Sequence, residues 1–134
     1  MPEWFGIEEA VRNYIKDARS RPMFVAREGN KAAGFLSLTL HNEFTGEIHV
    51  MGIKKEFHRM GLGKKLVAYA ESWLAKKKFK FLTVKTLSPS RRSPAYEKTR
   101  KFYLALGFKP LEEFKTLWGK ENPCLFLVKP LRAR

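Results

Sequence analysis

The sequence predicts an α/β (α+β) fold, a central mixed and mostly antiparallel sheet flanked by helices, and three observations predict it. Short β-rich runs bounded by turn residues recur along the chain, two longer segments carry apolar residues at helical spacing, and the elements read in the order α, β, β, β, α, β, α, β, β. The chain has 134 residues, 44% of them hydrophobic, and no repeat, linker or low-complexity tract, so a single domain over residues 1–134 with one core is expected.

Taken in order, Ile7, Val11, Tyr14, Ile15 and Ala18 recur at helical spacing and predict an amphipathic helix ending before Arg21-Pro22, where the proline discourages continuation. Residues 23–27 and 31–40 read as strands joined by a hairpin turn at Glu28-Gly29-Asn30, and residues 46–53 as the next strand. Leu62, Leu66, Ala70, Trp73 and Leu74 form one stripe of a helix over about 61–78. A strand at 79–86, a helix at 94–106 closed by Gly107, and an antiparallel pair at 108–114 and 123–129 complete the chain.

The stretch EIHVMGIKKEFHRMGLGKK, residues 47–65, is the most informative. A strand runs through a short turn into Gly61-x-Gly63, which opens a helix. The glycines allow close backbone approach to a ligand, and the first N–H groups of a helix have no partner inside it, so the segment is an anion cradle suited to a pyrophosphate. It is not the dinucleotide fingerprint, which needs a third glycine where Leu66 stands. A Walker A loop would need glycine at His58 and Ser or Thr at Lys65.

The run His58-Arg59-Met60-Gly61-Leu62-Gly63 resembles the acetyl-CoA signature of the GNAT superfamily of N-acetyltransferases, [Q/R]-x-x-G-x-[G/A], with His58 in the place of Gln or Arg. Residues 96–108, YEKTRKFYLALGF, resemble the family segment N-x-x-A-x-x-F-Y-x-x-x-G-F: Phe102, Tyr103, Gly107 and Phe108 match, while Tyr96 and Thr99 replace Asn and Ala. The likeness covers most of residues 22–129. It implies the GNAT-like acyl-CoA N-acyltransferase fold. The chain starts too late to hold all that precedes the second strand in that family, which makes the first strand a candidate for absence. The edge so exposed would be covered by the helix at Ile7–Ala18 or by a second subunit in a homodimer.

The chemistry the resemblance implies is direct transfer of an acetyl group from acetyl-CoA to a primary amine in a ternary complex. The pantetheine arm would pair with backbone of Met51 and Ile53, and the pyrophosphate would lie on His58, Arg59, Met60, Gly61, Leu62, Gly63 and Lys64. An amine with pKa near 10.4 must lose a proton before attack. Glu47 is the candidate base by its offset from Ile53, and His49, two residues on, is expected on the same strand face. Tyr103 matches the position whose phenol donates a proton or hydrogen bond to the departing sulfur. The loop LSPSRRSP at 87–94 reads by default as solvated and mobile, with Arg91 and Arg92 candidates for an anion. Glu112, Glu113, Trp118 and Glu121 lie where the family builds acceptor specificity.

Charge and composition narrow the alternatives. Lys plus Arg number 27 against 13 Asp plus Glu, giving +14 and a pI near 10.1. The basic clusters are scattered and no nucleic-acid-binding motif accompanies them, so a solvated surface outranks a nucleic-acid groove, and a polycation is mildly disfavoured as substrate. A non-catalytic acetyl-CoA sensor or a basic nucleic-acid binder on the same fold is the competing reading. Cys124, in the run CLFLV, reads as a buried inert thiol, and His41, His49 and His58 stand at no metal-ligand spacing. No segment approaches the roughly 18–20 apolar residues of a membrane span, and MPEWFG lacks the features of a signal peptide, so a cytoplasmic protein is expected.

Overall fold

The computed structural model describes residues 5–13 and 20–132. The chain divides into two compact units, Met1–Lys80 with Leu131–Arg134, and Phe81–Pro130.

In the first unit β1 (Phe5–Asn13), β2 (Ser20–Glu28), β3 (Lys31–Leu40) and β4 (Thr45–Ile53) pair antiparallel in chain order. The 28–30 turn forms as expected, with Gly29 and Asn30 between β2 and β3. Helix α1 (Leu62–Lys76) packs on β2, β3 and β4 through Leu62, Leu66, Val67, Ala70 and Leu74. Phe24 of β2 is fully buried against Tyr69 and Trp73, at ring-centroid distances of 5.2 and 5.7 Å. Gly46 lies under this helix, where a Cβ would come within 3.0 Å of a Leu74 methyl, so β4 and α1 approach closely only because the residue has no side chain.

The helix expected at Ile7–Ala18 is corrected over its first half: β1 is a strand, paired with β2 from Phe5↔Glu28 to Asn13↔Ser20. The reason lies in the spacing. Ile7 and Val11 are four residues apart, which is about one helical turn but also two β repeats, so the pattern satisfies both periods. The β-branched side chains and an available partner strand decide for β. Tyr14, Ile15 and Ala18 lie outside the described residues. Pro22 belongs to β2, opposite Val11, instead of terminating a helix. A strand therefore occupies the place where the first strand was a candidate for absence, and β1 covers the edge of β2 that a second subunit was invoked to cover.

Helix α1 ends in a Schellman motif: Lys78 takes a left-handed φ of 71°, its N–H bonds the Ala75 carbonyl, and the Phe79 N–H bonds the Leu74 carbonyl. That exit uses residues 79 and 80, which is why the next strand starts later than expected. In the second unit β5 (Phe81–Leu87) and β6 (Lys109–Phe114) flank β7 (Cys124–Pro130), both pairings antiparallel. Helix α2 (Pro94–Ala105) lies against β5. Leu82, Phe108, Leu127 and Cys124 are buried.

Candidate functional site

The turn between β4 and α1 has an uncapped helix start and left-handed backbone. After a single 3₁₀ turn at Lys55–Phe57, whose Phe57 is buried, Arg59 and Gly61 both adopt left-handed φ, 66° and 73°. A Cβ on Gly61 would meet nothing within 4 Å, so conformation, not space, calls for glycine there. The first intrahelical bond runs from the Lys65 N–H to the Gly61 carbonyl, and no side chain caps the start. The N–H groups of Leu62, Gly63 and Lys64 thus fall at the helix positions that have no intrahelical acceptor. The first turn of α1 contains no acidic residue, and Lys64 is exposed there. Lysine at the positive end of a helix dipole is unfavourable by about a few tenths of a kcal/mol unless an anion is bound.

The register of β4 fixes which way the backbone groups of Met51 and Ile53 point. Lys54 donates its N–H to the Ala33 carbonyl, and hydrogen-bonded pairs alternate along an antiparallel ladder. Met51 and Ile53, opposite Leu36 and Gly34, therefore occupy non-hydrogen-bonded positions, and their backbone groups point away from β3. One of these groups is already engaged: His58 Nε2 lies 2.9 Å from the Ile53 carbonyl oxygen and donates to it in the tautomer protonated there. His58, at the signature position of Gln or Arg, is thus directed to the strand backbone, while Met60 is exposed.

Glu47 is only 8% exposed and has His41 as a neighbour, with Nε2 2.5 Å from its Oε1. His49 is not its hydrogen-bond partner. The β3–β4 register slips between Ser37 and Leu38, which makes His49 the extra residue of a β-bulge, and His49 and Val50 are both exposed. Sequence reasoning missed His41, although the signal was present. Glu47 pairs with Thr39, so His41 is its diagonal neighbour across the hairpin, and the tight 41–44 turn is set by Asn42, whose Oδ1 accepts from the Phe44 and Thr45 N–H groups.

In the second unit Tyr103 lies on α2 with its ring between Phe102 and Phe108, at centroid distances of 5.1 and 5.4 Å. It is 5% exposed, and burial pushes the phenol up to about 12. Arg100, the other buried side chain of α2, donates from Nη1 to the Leu87 carbonyl at 2.7 Å and ties the helix to the end of β5.

The loop expected to be mobile is pinned at several points. The Ser88 N–H bonds the Pro123 carbonyl, Ser88 and Ser90 donate their hydroxyls to Glu113, and Arg91 Nη1 donates to Asn122 Oδ1 and the Glu121 carbonyl. The two serine hydrogen bonds hold the Glu113 carboxyl below its usual range. Trp118 is exposed on the β6–β7 connection. Among the described residues no cluster of His, Cys, Asp or Glu could hold a metal, and no helix is long and apolar enough to cross a membrane.

Solved structures share this fold. A GNAT family acetyltransferase from Elizabethkingia anophelis with acetyl-CoA bound superposes with a TM-score of 0.78 at 16% identity, over 96% of this chain and 99% of that one. The aminoglycoside 6'-N-acetyltransferase from Enterococcus faecium gives 0.71 at 19% identity over 85% and 74%. The ribosomal-protein-S18-alanine N-acetyltransferase from Escherichia coli gives 0.67 at 18% over 84% and 70%. At these identities the likeness is one of fold, and the fold is that of the acyl-CoA N-acyltransferases. No curated protein sequence matches the chain. The sequence model of the Acetyltransferase (GNAT) family matches residues 2–108, and the chain belongs to that family. It is an acyltransferase, and the co-substrate that goes with membership is acetyl-CoA.

Proposed function

We propose that this protein transfers the acetyl group of acetyl-CoA to a primary amine by direct attack within a ternary complex, and that residues 1–134 act as one acetyltransferase domain. The observation that carries the proposal is the β4–α1 turn, with two left-handed residues, an uncapped helix start and exposed Lys64 where a carboxylate would suit the free helix. The coenzyme's pyrophosphate lies on the N–H groups from Arg59 to Lys64. Its pantetheine arm pairs with the outward backbone groups of Met51 and Ile53, where His58 yields or shares the Ile53 carbonyl.

The ammonium form of the acceptor gives a proton to Glu47, the neutral nitrogen attacks the thioester carbonyl carbon, and the C–S bond breaks as the nitrogen loses its second proton, which ends on the coenzyme sulfur. His41, on that carboxylate and partly exposed, carries the proton on to solvent. Tyr103 stabilises the thiolate. A phenol at about 12 is a weaker acid than an alkyl thiol and does not surrender its proton to the departing thiolate, so Tyr103 acts as a hydrogen-bond donor.

The test is Tyr103→Phe. Turnover is expected to fall roughly a hundredfold while the acetyl-CoA dissociation constant stays within about twofold, the pattern of an interaction strengthened in the transition state. Equal loss of turnover and affinity would remove Tyr103 from this role.

A further inference from the structure

The geometry points to an acceptor that carries its own negative charge: a small primary amine with a carboxylate or phosphate and a flat or apolar body, held by Arg91, Arg92, Trp118 and Tyr96. This deepens the acetyltransferase reading and rests on it for the word acceptor. A cavity of about 540 Å³, large enough for a small molecule, lies within the second unit. Its charged lining consists of two guanidinium groups, and no carboxylate lines it. Asn122 at its edge and the Glu121 carbonyl fix Arg91 through Nη1, which leaves the Nε and Nη2 hydrogens of that guanidinium for a ligand. A guanidinium so fixed loses little further freedom on gripping a carboxylate or phosphate by two parallel bonds. Trp118 and Tyr96, 43% and 47% exposed, supply aromatic surface beside it, which suits a planar or apolar body and costs few rotamers to order.

The acids beside the last hairpin connection, Glu112, Glu113 and Glu121, do not line this cavity. Glu113 accepts from Ser88 and Ser90, and both Glu113 and Glu121 line the neighbouring space, which Arg91 and Arg92 also border, where Lys115 and Lys120 stand beside them. A polyamine or an aminoglycoside would place several ammonium groups against two guanidinium groups. An amine with an anionic group instead meets complementary charge, and its reacting nitrogen remains the only group to be deprotonated.

The experiment uses unreactive probes, so that binding is read apart from turnover. The full chain is titrated calorimetrically with N-acetyl-L-tryptophan and its neutral amide, and with N-acetylglucosamine 6-phosphate and N-acetylglucosamine. At least one anion is expected to bind roughly tenfold more tightly than its neutral counterpart, and which one does so distinguishes carboxylate from phosphate. Arg92→Ala, which removes none of the loop's own hydrogen bonds, should erase that preference, and Arg91→Lys, which keeps the charge but loses the fork, should weaken it. Equal binding of anion and neutral twin, no detectable binding of either anion, or an anion preference untouched in Arg92→Ala would overturn the inference. Coenzyme A release is then followed with L-tryptophan, glucosamine 6-phosphate, the neutral amines and kanamycin. Arg-dependent anion binding without acetyl transfer to any amine would refute the acetyltransferase reading and leave the binding site standing. Brisk transfer to kanamycin or a neutral amine, without anion preference, would do the reverse.

Discussion

The two helices of this protein are put to different uses. Helix α1 buries Leu62, Leu66, Val67, Ala70, Leu74 and Ala75, while α2 buries only Arg100 and Tyr103. The body of α1 is therefore structural, and the features proposed to hold the coenzyme are confined to its first turn, where no acid and no side-chain cap stabilise it. Helix α2 likewise has no side-chain cap hydrogen bond, but it starts with Pro94 and carries an acid, Glu97, in its first turn, and it gives its buried face to one guanidinium and one phenol. An apolar stripe therefore identifies the helix that holds the fold, and a helix that buries polar-tipped side chains identifies where chemistry is proposed.

That contrast can be broken by mutation. The largest effect is expected in α1: Leu74→Ala, at a fully buried position, should cost about 2–5 kcal/mol in denaturant unfolding, whereas Leu104→Ala on the exposed side of α2 should stay within about 0.5 kcal/mol. Equal losses would mean that α2 carries as much of the core as α1. Next comes pH. The Tyr103 phenol is raised from 10.0 to about 12 by burial, so the folded state holds its proton more tightly than the unfolded chain. Its contribution is intact below pH 10 and declines as pH climbs through about 12, by roughly 2–3 kcal/mol, and Tyr103→Phe should abolish that part of the alkaline decline. Arg100→Met leaves the Leu87 carbonyl without this donor and should cost about 1–3 kcal/mol, with amide exchange accelerated at the end of β5. The smallest effect sharpens the comparison most: Lys64→Glu should stabilise the ligand-free protein by about 0.3–1 kcal/mol while weakening acetyl-CoA binding. Weaker binding without the gain in stability would show that the bare helix start is not held for a ligand.

Much of this was legible in the sequence for identifiable reasons. The strands from Lys31 onward and both helices follow from period and punctuation, and Gly61 announced the turn because left-handed backbone favours glycine there. Three features were not legible. The segment at Ile7 and Val11 fits two periods at once, and only its pairing with β2 chooses between them. The bulge at His49 changes local register without a glycine or proline to mark it. The hydrogen bonds that pin the 87–94 loop join residues about thirty apart, as with Arg91 and Asn122, so local composition reads as a solvated loop. The His41–Glu47 contact stands between these cases, since it follows from the hairpin register once that register is known.

The central claim is that the turn from Arg59 to Lys64 holds the pyrophosphate of acetyl-CoA, and calorimetric titration of the full chain with acetyl-CoA, beside Gly61→Val, tests it most directly. Valine strains the left-handed φ of 73° without filling any occupied space. The account predicts wild-type binding on the order of micromolar and a loss of at least about tenfold in a variant whose circular dichroism shows it still folded. Absence of binding to the wild type, or undiminished binding to the folded variant, would contradict it.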